Sequence, residues 1–262
     1  MKFTVDLISD LHIETWDNFD WTGQATSPYC IVAGDVCRDR ELLVDVLTHL
    51  GECYNAVFYI DGNDEHRNYL HDLGGSYRDL KDRLSEVKNV VYMHDNVVII
   101  NGIAIVATNG WWTYDFDSEI DKVQTIMWTK ERYGIPFGSA TIIHDVANND
   151  TRYTLNAISK LQTHPDVQKI ILVSHTVPAP WIIEHDLDLI GNYRFNTMGN
   201  SEMQRVLSED SENKIEVWLF GHYHKPVDQD FSGIRFTNNC RGRGDTDFKQ
   251  VVYRPKQIQI NY

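Results

Sequence analysis

The chain is short of basic residues. It has 24 lysines and arginines against 38 aspartates and glutamates, a formal net charge of −14. A protein that grips long nucleic acid by its phosphates presents a surplus of Lys and Arg, so broad nucleic-acid binding is not expected. Cysteine is scarce too. Cys30, Cys37, Cys53 and Cys240 are scattered, with no C-x-x-C pair, which predicts reduced, mostly buried thiols in a cytoplasmic protein. Long apolar runs are missing as well. None approaches the ~20 residues of a membrane-spanning helix, and mean hydropathy is −0.39, so no membrane partner is expected. Asp6 and Asp10 interrupt the first apolar run, and no small-residue cleavage site follows it, so no signal peptide is expected. There is no internal repeat, low-complexity segment or Pro/Ser-rich linker. Residues 1–262 are therefore read as one domain, with an embedded helical and aromatic insertion at about 109–165.

Hydrophobic side chains make up 42% of the sequence, enough for one sizeable core. Short β-branched runs predict strands at Phe3 to Ser9, Tyr29 to Gly34, Ala56 to Ile60, Lys169 to Ser174 and Ile215 to Gly221. NVVYM, NVVII and IAIVAT are three more, with Asn101-Gly102 marking a two-residue hairpin between the last two. Helical spacing covers Glu41 to Leu50, about Tyr69 to Val87, and two patterns within Ser118 to Lys160. A short helix is predicted at about Asn200 to Leu207. The chain closes on strands near Val227 to Asp230, Ile234 to Asn238, and Phe248 to Arg254 with QIQI behind it. Helices alternate with the early strands and hairpins join the late ones. That pattern predicts an α/β fold of two packed mixed sheets with helices outside.

The polar residues just beyond the strands form a second pattern. SDLH supplies Asp10 and His12, AGD supplies Asp35, DGN supplies Asn63, SH supplies His175, and GHYH supplies His222 and His224. The carboxyl ends of strands are where ligands collect in open α/β sheets. In extended chain, residues i and i+2 point the same way, so D-x-H and H-x-H can each aim two side chains at one ion. Each element alone is commonplace: a G-D or G-N after a strand is ordinarily a turn, and a lone loop histidine is ordinarily not a ligand. Five strand ends that all finish in Asp, Asn or His, three of them with Gly, are not commonplace.

D-x-H, G-D, G-N, S-H and G-H-x-H, in this order, resemble the calcineurin-like metallophosphoesterase superfamily. AGDVCRD, NGWWTYDF, VSHTVP, GHYHKP and TNNCRG further resemble landmarks of a cytosolic subgroup, with Cys240 standing where that subgroup has proline. The resemblance implies a four-layer αββα sandwich and two divalent metal ions. Asp10, His12 and His224 would hold one ion; Asn63, His175 and His222 would hold the other; Asp35 would bridge them. Mixed imidazole, carboxylate and amide donors suit Mn, Fe, Zn or Ni, with Mn the first to try in vitro. The implied activity is hydrolysis of a phosphodiester or phosphomonoester by a hydroxide held between the ions. The expected partner is a small, nucleotide-like phosphoester, with diesters slightly favoured. A catalytically impaired metal-binding scaffold and a nuclease are the alternatives.

GNDEH departs from the family pattern. Relatives often have histidine after the motif asparagine, as an acid or a transition-state contact; here Asp64 follows Asn63. Asp64 is one candidate acid if its surroundings raise its pKa. His66 is another if extended chain turns it back toward the metals. A third reading needs no acid, because the leaving group is already good or comes off the metals. Candidate phosphate contacts are Asn63, Arg38, Asn109 and Arg241, with Arg243 beside the last. Arg241 and Arg243 have a solvated turn as their plain alternative. Trp111, Trp112, Tyr114 and Phe116 either stack on substrate or pack the insertion. Asp61 and Glu65 are read as solvated or supporting groups.

Overall fold

The computed structural model describes residues 2–246, 249–250 and 252–262. The amino-terminal half contains β1 (Lys2–Ile8), β2 (Tyr29–Ala33), α1 (Arg40–Cys53), β3 (Ala56–Ile60), a single turn α2 (Asn63–His66), α3 (Leu73–Leu84) and β4 (Val90–Tyr92). There follow β5 (Asn96–Ile100), β6 (Ile103–Thr108), α4 (Lys122–Tyr133), α5 (Phe137–Gln162), β7 (Lys169–Ser174), β8 (Ile215–Phe220), β9 (Asp228–Phe231), β10 (Ile234–Asn238) and β11 (Lys256–Asn261).

Two mixed sheets result, one ordered β11-β1-β2-β3-β4 and the other β5-β6-β7-β8-β10-β9. β1 to β4 run parallel, as do β6, β7, β8 and β10; β11, β5 and β9 pair antiparallel at the outside. Alternate residues of facing strands fill the space between the sheets: Val5, Leu7, Ile31 and Phe58 from one, Ile105, Ile171, Val217 and Leu219 from the other. The intervening residues face outward. Val32, Val57 and Tyr59 pack under Leu43, Leu47 and Leu50 of α1 and Leu80 and Leu84 of α3. Val106, Leu172 and Trp218 share a core with Ile158 and Leu161 of α5. Because both faces of the central strands are covered, these strands read as continuous apolar runs rather than alternating ones. The order is thus helix, sheet, sheet, helix, the four-layer α/β sandwich.

Asn101 and Gly102 have φ of 50° and 77°, the two positive values that a type I′ hairpin requires, and they join β5 to β6. Three expectations shift. The helix expected from Tyr69 starts at Leu73, where Asp72 accepts from Gly75 N. The segment after Asn200 forms a 3₁₀ helix, Met203–Glu209. The strand expected over Phe248 to Arg254 lies partly outside the described residues; the paired strand is Lys256–Asn261. There the QIQI alternation places Ile258 and Ile260 in the inter-sheet core, which fixes the register against β1. Among the described residues all four cysteines are free, three of them buried, and no helix is long and apolar enough to cross a membrane.

Candidate metal centre

The carboxyl ends of β1, β2, β3, β7 and β8 meet at one edge of the sandwich. Chain must turn out of each strand there at once, and the turns are tight. Asp10, His12, Asp35 and His222 have φ of 50°, 41°, 52° and 63°. Left-handed backbone costs an ordinary residue ~1–2 kcal/mol, and such strain clusters at functional sites. It also corrects the extended-chain reading. D-x-H and H-x-H reach a common point through left-handed turns, not through the two-residue period of a strand.

The glycines before these residues permit the convergence. A methyl group on Gly62 would overlap Asp35 Oδ1, and one on Gly34 would overlap His175 Nδ1. One on Gly221 would lie 2.6 Å from Asp10 Oδ2. The loops are also tied together by Glu65, which is 1% exposed. Its carboxylate accepts from Gly62 N at 2.7 Å, Val36 N at 2.6 Å and Asp35 N at 3.1 Å. Burial pushes its pKa up to about 7.

Three groups of donors lie in this edge among the described residues. Asp10, His12 and His224 form one, Asp35, His175 and His222 a second, and His12, Asp35 and Asp64 a third that overlaps both, each with ligand atoms within 4.8 Å of one another. His12 Nε2 and His224 Nε2 are 3.2 Å apart, and His224 Nε2 is 3.2 Å from Asp10 Oδ1. His175 Nε2 is 3.1 Å from Asn63 Oδ1 and 3.4 Å from Asp35 Oδ1. Asp35 Oδ2 reaches 3.8 Å from His12 Nε2, so this carboxylate stands between the first two groups.

Proton placement tests whether these residues suit a cation. His175 Nδ1–H donates to Ala33 O at 2.9 Å, since a carbonyl only accepts. A neutral His175 then turns the lone pair of Nε2 toward Asn63 Oδ1, which only accepts, and toward Asp35 Oδ1, which already accepts from Asp64 N at 2.8 Å. His222 Nε2–H donates to Thr197 O at 3.0 Å, leaving its lone pair on Nδ1. Burial pushes both imidazoles down, His222 to about 3, so neither carries a proton to relieve the opposition. Asp35 is pushed well up, first by burial and then by the carboxylates of Asp64, Glu65 and Asp10. Converging lone pairs, with a carboxylate that is costly to keep ionised beside three others, are what a divalent cation relieves, and the residues fit one.

Asp64 is 4% exposed and does not face the cluster as an acid. Its Oδ2 accepts from Arg38 Nε and Nη2 at 3.1 and 2.9 Å and from Arg243 Nη1 at 3.3 Å, and it lies 3.4 Å from His12 Nδ1. Arg67 Nη1 lies 3.7 Å from Oδ1. Burial raises the Asp64 pKa, but His12 and Arg38 outweigh it and hold the carboxyl well below its usual range. His66 is also corrected. The backbone at 63–66 is helical, not extended, so the side chain turns inward. There it is fully buried between Asp61 Oδ2 and Ser76 Oγ, 2.8 Å from each. Asp61 also accepts from Tyr92 Oη and Asn109 Nδ2, so Asp61 and Glu65 are buried supports rather than solvated groups.

Beside the donors opens a cavity of about 410 Å³ lined by Asn63, Arg38, Arg243 and Asp64, with Trp111 and Trp112 in its wall. Asn109 does not line it; its amide is spent on Asp61. Arg241 does not line it either, its guanidinium lying 4.0 Å over the Trp16 ring. Trp112 stacks on His222 at 5.8 Å, whereas Tyr114 and Phe116 are packed in the core. Arg67, Arg132 and Arg194 also line the cavity. Sequence reading passed over them. Only Arg67, three residues after Asp64, carried a local signal.

No family model matches the chain. The uncharacterized protein L509 of Acanthamoeba polyphaga mimivirus is 22% identical over 269 residues, spanning 90% of this chain and 89% of that protein. Among solved structures, GAP50, the anchor in the inner membrane complex of Plasmodium, matches with a TM-score of 0.50 at 12% identity over 98% of this chain and 81% of that one. The phosphopantetheinyl hydrolase of Mycobacterium tuberculosis matches with a TM-score of 0.74 at 19% identity, covering 98% of this chain and 96% of that one. From end to end, the described chain has the fold of that hydrolase.

Proposed function

We propose that this chain is a dinuclear metal-dependent phosphohydrolase of the calcineurin-like metallophosphoesterase kind, acting on a small phosphodiester or phosphomonoester. The observation that carries the reading is the opposition of lone pairs at His175, Asn63 and Asp35 beside the paired imidazoles of His12 and His224. Asp10, His12 and His224 would hold one ion, and Asn63, His175 and His222 the other, with Asp35 shared. Two divalent ions there supply Lewis acidity toward a phosphoryl oxygen and a water. The fold of a hydrolase supports the reading, although a shared fold alone does not decide activity.

The chain's own residues do the rest. Ala33 O and Thr197 O fix the tautomers of His175 and His222. Arg38 and Arg243 line the cavity with guanidiniums that can pair with phosphate oxygens, and Asp64 holds both in place. A carboxyl held this low keeps no proton at neutral pH, and His66 is out of reach. The site therefore has neither acid expected from the sequence, and it should favour esters whose leaving group departs without one. Diesters and aryl esters fit that requirement better than monoesters of alkyl alcohols.

The test is direct. The protein is stripped of metal, reloaded with Mn, and assayed on bis-p-nitrophenyl phosphate and p-nitrophenyl phosphate. Turnover that needs the metal is expected. Absence of turnover with Mn, Fe, Zn and Ni alike would overturn the enzymatic reading in favour of a metal-binding scaffold.

A further inference from the structure

A chain of net charge −14 lines one cavity with five arginines. Three of them, Arg38, Arg67 and Arg243, lie within ion-pair distance of Asp64. The other two, Arg132 and Arg194, have no ion-pair or side-chain hydrogen-bond partner among the described residues. Both are exposed to solvent and both line the cavity. Both guanidiniums are thus available to an incoming anion. Arginine is also the side chain best shaped to clamp a phosphate or carboxylate through paired N–H donors.

These two residues come from segments that carry none of the metal-ligand side chains. Arg132 is in the last turn of α4. Trp128, one turn earlier on the same helix face, has its ring 6.5 Å from that of Tyr193, the neighbour of Arg194. Asn196, two residues on, donates to Thr125 of α4. The two segments are therefore packed together and bring both guanidiniums to one side. Arg194 is also tied to the centre, since its carbonyl accepts from Thr197 N and Thr197 O accepts from His222. The intervening wall contains apolar side chains, Leu70, Ile135 and Met198.

We infer that Arg132 and Arg194 form a second anion subsite. It takes a phosphate or carboxylate of the substrate other than the one hydrolysed, with an apolar or planar segment between the two. This deepens the phosphohydrolase reading and rests on it: the preferred substrate is a phosphoester with two separate anionic groups. A cavity of about 410 Å³ falls within the usual range for a small ligand of that kind.

The experiment uses metal-free protein, so that it is read independently of turnover. Binding of adenosine 5′-monophosphate, adenosine 5′-diphosphate and adenosine 3′,5′-bisphosphate is measured by calorimetry. The three share one body and differ in whether and where a second anion sits. One of the two-anion probes should bind roughly tenfold tighter than the monophosphate, the gain of one charge-assisted contact. That gain should vanish in R132Q/R194Q, whose thermal unfolding should match the parent because neither side chain has an ion-pair or hydrogen-bond partner among the described residues. No gain with either two-anion probe, or a gain that survives in the double variant, overturns the subsite. Absence of turnover in metal-loaded protein would instead count against the phosphohydrolase reading, and it is scored in a separate assay.

Discussion

Arg38 meets Asp64 side-on: Nε and Nη2 lie 3.1 and 2.9 Å from the same carboxylate oxygen, Oδ2. Asp64 therefore serves as an anion that gathers guanidiniums at the edge of the cavity. In many proteins of this motif pattern the position holds histidine. Here the position holds a carboxylate with Arg38, Arg67 and Arg243 within ion-pair distance.

Asp64→Asn should release that collar without removing a metal ligand. Metal content should be unchanged and kcat/KM should fall at least ~10-fold, the loss of about one well-placed charged contact. Because no acid is lost, aryl phosphates of graded leaving-group pKa should all fall by the same factor. A drop that deepens with leaving-group pKa would show that Asp64 donates a proton after all.

His66→Ala should act on stability rather than on leaving-group preference. It strips a buried partner from Asp61 and leaves Ser76 Oγ facing a void. Burial pushes the His66 imidazole down, so it meets Asp61 as a neutral donor, and leaving a buried acceptor short of one donor costs roughly 1–3 kcal/mol. Tyr92 and Asn109 still donate to Asp61, so the lower end is expected. Denaturant unfolding measures the loss, and the ratio of aryl to alkyl ester hydrolysis in the surviving folded protein should be unchanged.

Asp228 on β9 joins the two sheets, pairing with Arg235 of β10 and Lys256 of β11. Arg235 first, with Lys256 adding to it, lowers the Asp228 pKa to about 2 from 3.8. A depressed carboxyl stabilises the fold above its unfolded value and loses that contribution as pH falls through its folded value. Asp228→Asn should therefore lower the melting temperature slightly at pH 7, and the gap should close between about pH 4 and pH 2. These side chains are partly exposed, so the effect should stay below ~1 kcal/mol. A gap that persists at pH 2 would contradict the assignment.

Much of the fold was legible because the central strands are buried on both faces and so read as unbroken apolar runs. The Asn101-Gly102 turn needed only local chemistry. The QIQI part of the carboxyl-terminal strand pattern was legible; what set its register was a partner about 250 residues away, β1. The candidate metal donors were legible as residue types after strands. Their left-handed backbone was not, because it depends on loops packed against one another around Gly34, Gly62 and Gly221. The inward turn of His66 was hidden for a similar reason: a helix starting at Asn63 rotates it by two residues, away from the metals. Arg132 and Arg194 gave no signal at all, since only tertiary packing brings α4 beside the segment before Thr197.

The central claim is that seven side chains from five strand ends hold two cations. Calorimetric titration of Mn²⁺ into metal-stripped protein tests it most directly, with Asp35→Asn as the companion, since Asp35 is the one carboxylate shared by both groups. Two ions bound per wild-type chain, with both sites weakened together in the variant, is the predicted result. A folded wild-type protein that takes up no ion, or an Asp35→Asn protein that binds as the wild type does, would contradict it.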